Sequence, residues 1–324
     1  MNILKRQSRK PSRSYLKSNS RNDERRGRTI LPLPKKVDAQ PRLVYNTSER
    51  AHRAEVKLRV VPLRDVLLHE QIETKRVERL IDRLQSDQLL KNPPIVVESQ
   101  GKYILLDGAT RITALARVGC RDAVVQIVDY NAPGLTLETW DHLIVGLPVP
   151  DFLQALRQLA GLRLQVATAE QAEEARAQRA SLGTVVLADG HTLSLYGAAS
   201  LAAEAHLLNQ VVALYEGRGE MYRVAHTDVK GLLMEHARFS ALVIFPRYRP
   251  TEIRQLALNG SKLPTGITRH VIPGRAMRIN MPLDVLYADE PLARKNAWLD
   301  EWMQTKMRER QVRLYQEPVF LFDE

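Results

Sequence analysis

Residues 103–119, YILLDGATRITALARVG, decide the fold. Tyr103–Leu106 read as a buried apolar strand, Asp107-Gly108 as a tight turn, and the stretch from Thr110 as a helix burying Ile112, Leu115, Ala116 and Val118. A strand that opens straight into a helix leaves free backbone N–H groups, and the positive end of the helix dipole, facing one point. Such a point accepts phosphate. Arg111 sits in the first helical turn, where a cation is mildly unfavourable, and an anion between it and the helix start would resolve the conflict. Asp-Gly before a helix is equally an ordinary turn in any α/β protein, so on this segment alone both readings stand.

Outward from that segment the chain reads as alternating strands and helices. EVKLRVVPL gives a first strand from about Ala54, and RDVLLHEQIETKRVERLIDRLQ then reads as helical, with Val77, Leu80, Ile81 and Leu84 forming one apolar stripe. Pro93-Pro94 launches the strand IVVES, and Gln100-Gly101 turns it into YILLD as a hairpin. AVVQIVDY closes this first unit. Pro148 and Pro150 mark a boundary, after which FLQALRQLAG, RLQVAT, EQAEEARAQRA and TVVLADGHTLSLYG alternate, the last a hairpin on Asp189-Gly190. A long helix over 198–216, the strand MYRVAH, the helix HTDVKGLLMEHAR, the strand ALVIFPR and the helix PTEIRQLALNG follow. LPTGITRHVIPG has no regular period, and 291–324 reads as a helix plus an extended end with no assigned chemistry. The expected architecture is α/β (α+β), divided at 1–53, 54–149, 150–288 and 289–324.

Composition narrows the function. Of 324 residues 44% are hydrophobic, enough for a sizeable core, and the one cysteine, Cys120, excludes a disulfide framework or a multi-cysteine metal site. Neither a membrane span nor a secretory leader is visible, which points to the cytoplasm. The net charge of +11 is unevenly spread: residues 1–50 hold 14 Lys and Arg against 4 Asp and Glu, and the other 274 hold 34 against 33. The basicity therefore sits in a Ser-, Arg- and Pro-rich arm expected to be disordered, either a solvated tail or a weak contact for nucleic acid.

Four collinear segments, LHEQ (68–71), LLDGATR (105–111), ETWDHL (138–143) and TRHVIP (268–273), together resemble the free L-serine kinases. The resemblance spans about residues 55–287. It implies a ParB/sulfiredoxin-like N-terminal domain that binds nucleotide, followed by a second mixed α/β domain that supplies the serine pocket. It further implies transfer of a phosphoryl group from ATP or ADP, with Mg²⁺, to free L-serine. Under it Glu70 is the catalytic base, Asp107 the catalytic aspartate and metal ligand at the phosphate site, and Gly108, Ala109, Thr110 and Arg111 the phosphate-binding turn. Trp140, Thr268, Arg269 and His270 match the serine pocket. Some members carry His-His where this chain has Ala109-Thr110, which leaves the nucleotide donor open between ATP and ADP.

Read as residues alone, the same positions have plainer roles. Glu70 is a carboxylate near a helix start, Asp107 a helix cap or a Mg²⁺ ligand, and Thr268-Arg269-His270 a loop network or a zwitterion site with Arg269 forked on a carboxylate. Trp140 is a pocket wall or a core residue, and His69 has no assigned role. Position 109 is Ala where sulfiredoxins carry their catalytic cysteine, which excludes sulfinic acid reduction. The competing reading is a non-enzymatic ParB-like regulator binding nucleotide and DNA. The near-neutral body and the lack of a DNA-reading helix count against it.

Overall fold

The computed structural model describes residues 56–225, 231–232 and 238–314. The basic arm, most of the helix expected over 226–238 and the end after residue 314 lie outside the described residues. The chain is mixed α/β, as expected.

Its first sheet has five strands: β1 (Lys57–Pro62), β2 (Val66–Leu67), β4 (Ile95–Ser99), β5 (Lys102–Asp107) and β6 (Asp122–Ile127), in the order β1-β6-β4-β5-β2. The β4–β5 hairpin turns at Gln100-Gly101, where both residues adopt positive φ. Burial explains the sequence pattern. All six residues of β6 are buried, and Ile104, Leu105 and Leu106 carry β5 through the interior. Helix α1 (Thr74–Asp87) buries Val77 and Leu84 and packs against α2 (Ala109–Arg117), which buries Ile112, Ala114 and Leu115.

The second sheet has six antiparallel strands in the order β12-β8-β13-β10-β11-β9. They are β8 (Asp141–Val145), β9 (Arg163–Val166), β10 (Gly183–Leu187), β11 (Thr192–Tyr196), β12 (Glu220–Val224) and β13 (Phe239–Ile244). The sheet thus takes in 141–145, ahead of Pro148. Helices α3 (Val149–Gln158), α4 (Ala169–Ala177), α5 (Leu201–Ala213) and α6 (Pro250–Leu258) accompany it. One apolar core runs from Ile95, Ile104 and Leu106 of the first sheet through Ile144, Leu208 and Val243 of the second region.

Two elements differ from the sequence reading. The helix expected from Arg64 starts only at Thr74. Ahead of it, Val66–Leu67 pairs in parallel with β5, and Glu70 bridges to Leu263 through the bonds Gln71 N to Leu263 O and Leu263 N to His69 O, both 2.8 Å. Backbone groups already taken by distant partners cannot join a helix, so tertiary pairing overrides the local pattern. In the irregular stretch near 268, β14 (Thr268–Val271) forms a two-stranded ribbon with β7 (Thr136–Thr139).

The tail helix α8 (Leu292–Arg308) packs on the first sheet. Asn296 pairs its amide with both backbone groups of Val60 at 2.9 Å, substituting for a missing strand at the β1 edge. Fully buried Lys295 reaches Asp122 on β6 at 2.5 Å. A short strand β15 (Met281–Pro282) pairs with β3 (Leu89–Leu90) just before α7 (Leu283–Tyr287).

Candidate active site

Glu70 leaves the first sheet on the extended run before α1 and meets the loop leading into β14. Its Oε2 accepts from Gly266 N–H at 2.8 Å, and its Oε1 accepts from Thr268 N–H at 2.7 Å and Thr268 Oγ1 at 2.5 Å. Three donors on two oxygens fix the carboxylate and leave one lone-pair site on Oε2. Gly266 has φ +66, the left-handed region that favours glycine, and a Cβ there would fall 2.4 Å from the Arg223 guanidinium carbon, which would have to give way for the loop to close over Glu70. With its hydrogen on Glu70, Thr268 Oγ1 accepts from His69 Nε2–H at 2.9 Å.

Asp107, the last residue of β5, carries two arginines on one oxygen. Its Oδ2 accepts from Arg111 at 3.0 Å and from Arg275 at 2.6 Å. Burial alone would raise this carboxyl, but Arg111 and Arg275 outweigh it and hold it below the usual carboxylate range. The anion that Arg111 needs at the helix start is therefore Asp107 itself. Asp107 makes no capping bond to α2; Gly108, at φ +104, is the N-cap. A Cβ at Gly108 would meet the Arg111 guanidinium at 3.0 Å, so the arginine folds directly beneath the turn. The first helical bond runs from Ile112 N to Gly108 O, which leaves the N–H groups of Ala109, Thr110 and Arg111 without intrahelical acceptors.

A cavity of about 350 Å³ opens between these groups, lined by Leu106 and Asp107 from the first sheet, Trp140, Thr268–Ile272 and Arg275. Five expected site residues thus share one wall: Asp107, Trp140, Thr268, Arg269 and His270. Glu70 joins them through Thr268, and Gly108–Arg111 adjoin the cavity through Asp107. Arg269 lies over the Trp140 ring at 4.5 Å and bonds Glu138 at 3.0 Å, and Trp140 N–H is tied to Ile267 O at 2.9 Å.

His270 is buried, bonds Tyr130 OH through Nε2 at 2.7 Å and stands edge-on to His69. Burial, reinforced by His69, pushes His270 down to about 3. Burial also lowers His69, against the pull of Glu70. Both rings are therefore neutral near pH 7, and the pocket's positive charge comes from its arginines.

Sequence reasoning passed over His69, Gly266 and Arg275. His69 lies beside Glu70 in LHEQ, and the Pro-Gly before Arg275 marks a turn, but neither signals a contact across the fold. Other titratable groups serve the core. Asp141 accepts from Phe245 N–H at 3.0 Å and is raised to about 7 by burial, and His142 bonds Tyr215 OH at 2.8 Å and falls to about 3. The Cys120 thiol is buried and raised to about 11.

Mg²⁺ fits this site in one way. Among the described residues no cluster of three or more His, Cys, Asp or Glu could hold a metal. Asp107 Oδ1 takes neither arginine, and a single carboxylate suits Mg²⁺ that arrives on nucleotide phosphates.

No family model matches the chain. It is 26% identical over 273 residues to the ATP-dependent L-serine kinase SbnI of Staphylococcus aureus, covering 82% of this chain and 97% of that protein. It is 24% identical to the ADP-dependent L-serine kinase SerK of Thermococcus kodakarensis, over 68% of this chain and 88% of that one. The solved structure of C-terminally truncated SbnI superposes with a TM-score of 0.64 at 25% identity, covering 77% of this chain and 97% of the other. Among the described residues no helix is long and apolar enough to cross a membrane.

Proposed function

We propose that this chain, which groups in sequence and fold with the free L-serine kinases, transfers the terminal phosphoryl group of ATP or ADP to the hydroxyl of free L-serine. The observation that carries this reading is the Glu70 carboxylate, gripped by Gly266 and by Thr268, a residue that lines the same cavity as Asp107.

Phosphoryl transfer asks for positioning and charge neutralisation more than covalent help. Nucleotide phosphate rests on the open N–H groups of α2, in the turn Gly108–Arg111. Asp107 Oδ1 would hold a Mg²⁺ arriving with the nucleotide, which would supply charge neutralisation at the phosphates. Serine lies along β14. The spare N–H groups of Arg269 take its carboxylate, Trp140 walls the pocket, and Thr268 and neutral His270 serve its polar groups. The serine oxygen attacks the terminal phosphorus. The bond from phosphorus to the bridging oxygen breaks, and its electron pair leaves with ADP or AMP. The hydroxyl proton passes to Glu70 Oε2, and O-phospho-L-serine is the product.

The test is product analysis by phosphorus NMR with each nucleotide, Mg²⁺ and L-serine. Phosphoserine formed from either donor supports the reading. Nucleotide turnover that ignores serine refutes it and favours the regulator.

A further inference from the structure

Two arginines meet at Asp107 Oδ2, and their surroundings divide their labour. Arg111 spends Nη1 on the carbonyls of Asn92 at 3.2 Å and Pro93 at 2.9 Å, and its side chain is only 21% exposed. It holds the turn together. Arg275 comes from the loop after β14, lines the cavity and is 37% exposed. It gives one N–H to Asp107 and one, at 3.3 Å, to His270 O, which leaves three of its five donors unspent among the described residues.

The fold also builds the seat of Arg275. Gln126 projects from β6 and is 3% exposed. Its Nε2 donates to Gly274 O at 2.9 Å, and its Oε1 accepts from Ala276 N–H at 2.8 Å. One buried amide thus clamps the main chain on both sides of Arg275. A polar group in the interior of a sheet is costly unless satisfied, and here both of its partners belong to that loop. Charge points the same way. One carboxylate against two guanidiniums leaves a net positive charge at the cavity, next to the dipole-positive start of α2, so the missing partner is an anion.

We propose that Arg275 is the arginine that binds the transferred phosphoryl group, with Gln126 its positioning residue and Arg111 a structural latch. The proposal rests on the phosphotransfer reading above. As the serine oxygen bonds to phosphorus and the bridging oxygen departs with its electron pair, the Arg275 fork takes two of the phosphoryl oxygens.

The test compares Arg275→Ala, Arg275→Lys and Gln126→Leu with the unmodified protein, by phosphoserine turnover and by calorimetric titration with ATP, ADP and AMP. Arg275→Ala should lower kcat about 10³-fold, the lower end for arginines in phosphoryl transfer, while AMP affinity stays within about two-fold. Arg275→Lys should recover part of the rate, since a point charge lacks the fork. Gln126→Leu should lower kcat roughly ten-fold with KM for serine unchanged, a split that general loosening of the loop does not give. An Arg275→Ala variant with wild-type kcat overturns the proposal, and so does equal loss of AMP and ADP binding. If the unmodified protein makes no phosphoserine, the kinase reading falls and the titration alone decides Arg275. Loss in Arg275→Ala of the extra affinity for ADP and ATP over AMP supports it. Unchanged discrimination, or no nucleotide binding by the unmodified protein, overturns it.

Discussion

Replacing Glu70 by Gln removes a charge and, in this geometry, also breaks a fitted hydrogen-bond set. Three donors converge on the two carboxylate oxygens: Gly266 N–H on Oε2, and Thr268 N–H and Oγ1–H on Oε1. A glutamine offers one acceptor oxygen. The cheaper orientation keeps both Thr268 bonds and turns the NH2 group against Gly266 N–H, donor against donor. Leaving one partly buried N–H unsatisfied costs about 1–3 kcal/mol, a fraction of the 5–15 kcal/mol that holds a typical domain folded. Glu70→Gln should therefore stay folded but melt several degrees lower, while turnover falls about 10²–10⁴-fold for loss of the base. Phosphoserine formation followed by phosphorus NMR, paired with thermal unfolding, measures both. Wild-type turnover would refute Glu70 as base. Lost turnover at an unchanged melting temperature would refute the three-donor cradle.

Arg111→Ala should lower the melting temperature as well as nucleotide affinity, because it strips donors from Asn92 O, Pro93 O and Asp107 together; calorimetry showing a nucleotide defect with no thermal change would contradict the latch. Acid should destabilise the protein: the buried histidines bind protons in the unfolded chain below about pH 6.5 but resist them when folded, His142 and His270 down to about 3. Asp141, raised to about 7, works the opposite way, since the folded state takes up its proton first. Asp141→Asn should therefore stabilise at pH 8 and lose most of that advantage by about pH 4, near the carboxyl's unfolded value, as urea unfolding at the two pH values will show. Deleting residues 1–50 takes the formal charge from +11 to +1 and should abolish DNA retention while phosphoserine turnover persists; DNA binding that survives would favour the regulator.

The sequence was legible where local chemistry sets local structure. The strand, turn and helix around Asp107-Gly108, the Val77–Leu84 stripe and the Asp189-Gly190 hairpin follow from periodicity and turn residues. The stretch ahead of Thr74 misled because its backbone bonds go to β5 and Leu263, partners that no window of sequence contains. For the same reason Arg275 stayed invisible. Its seat depends on Gln126, which reads as one polar residue in an apolar strand until the loop 274–276 is seen against it. Arg111 was visible as an oddity, a cation at a helix start, but its answering anion lies only four residues upstream.

The helix α8 bears on how this protein comes to be made. The β1 strand has its outer edge sealed by Asn296, which stands 236 residues downstream of Val60. At about 5–20 residues per second, a ribosome needs roughly 10–50 s to reach Asn296 after Val60. During that interval the nascent first sheet carries an open edge, the kind of surface on which unfinished chains pair with one another. The half of the molecule built on the first sheet is therefore written early and finished late, and its yield in cells should depend on chaperone capacity more than its final stability would suggest.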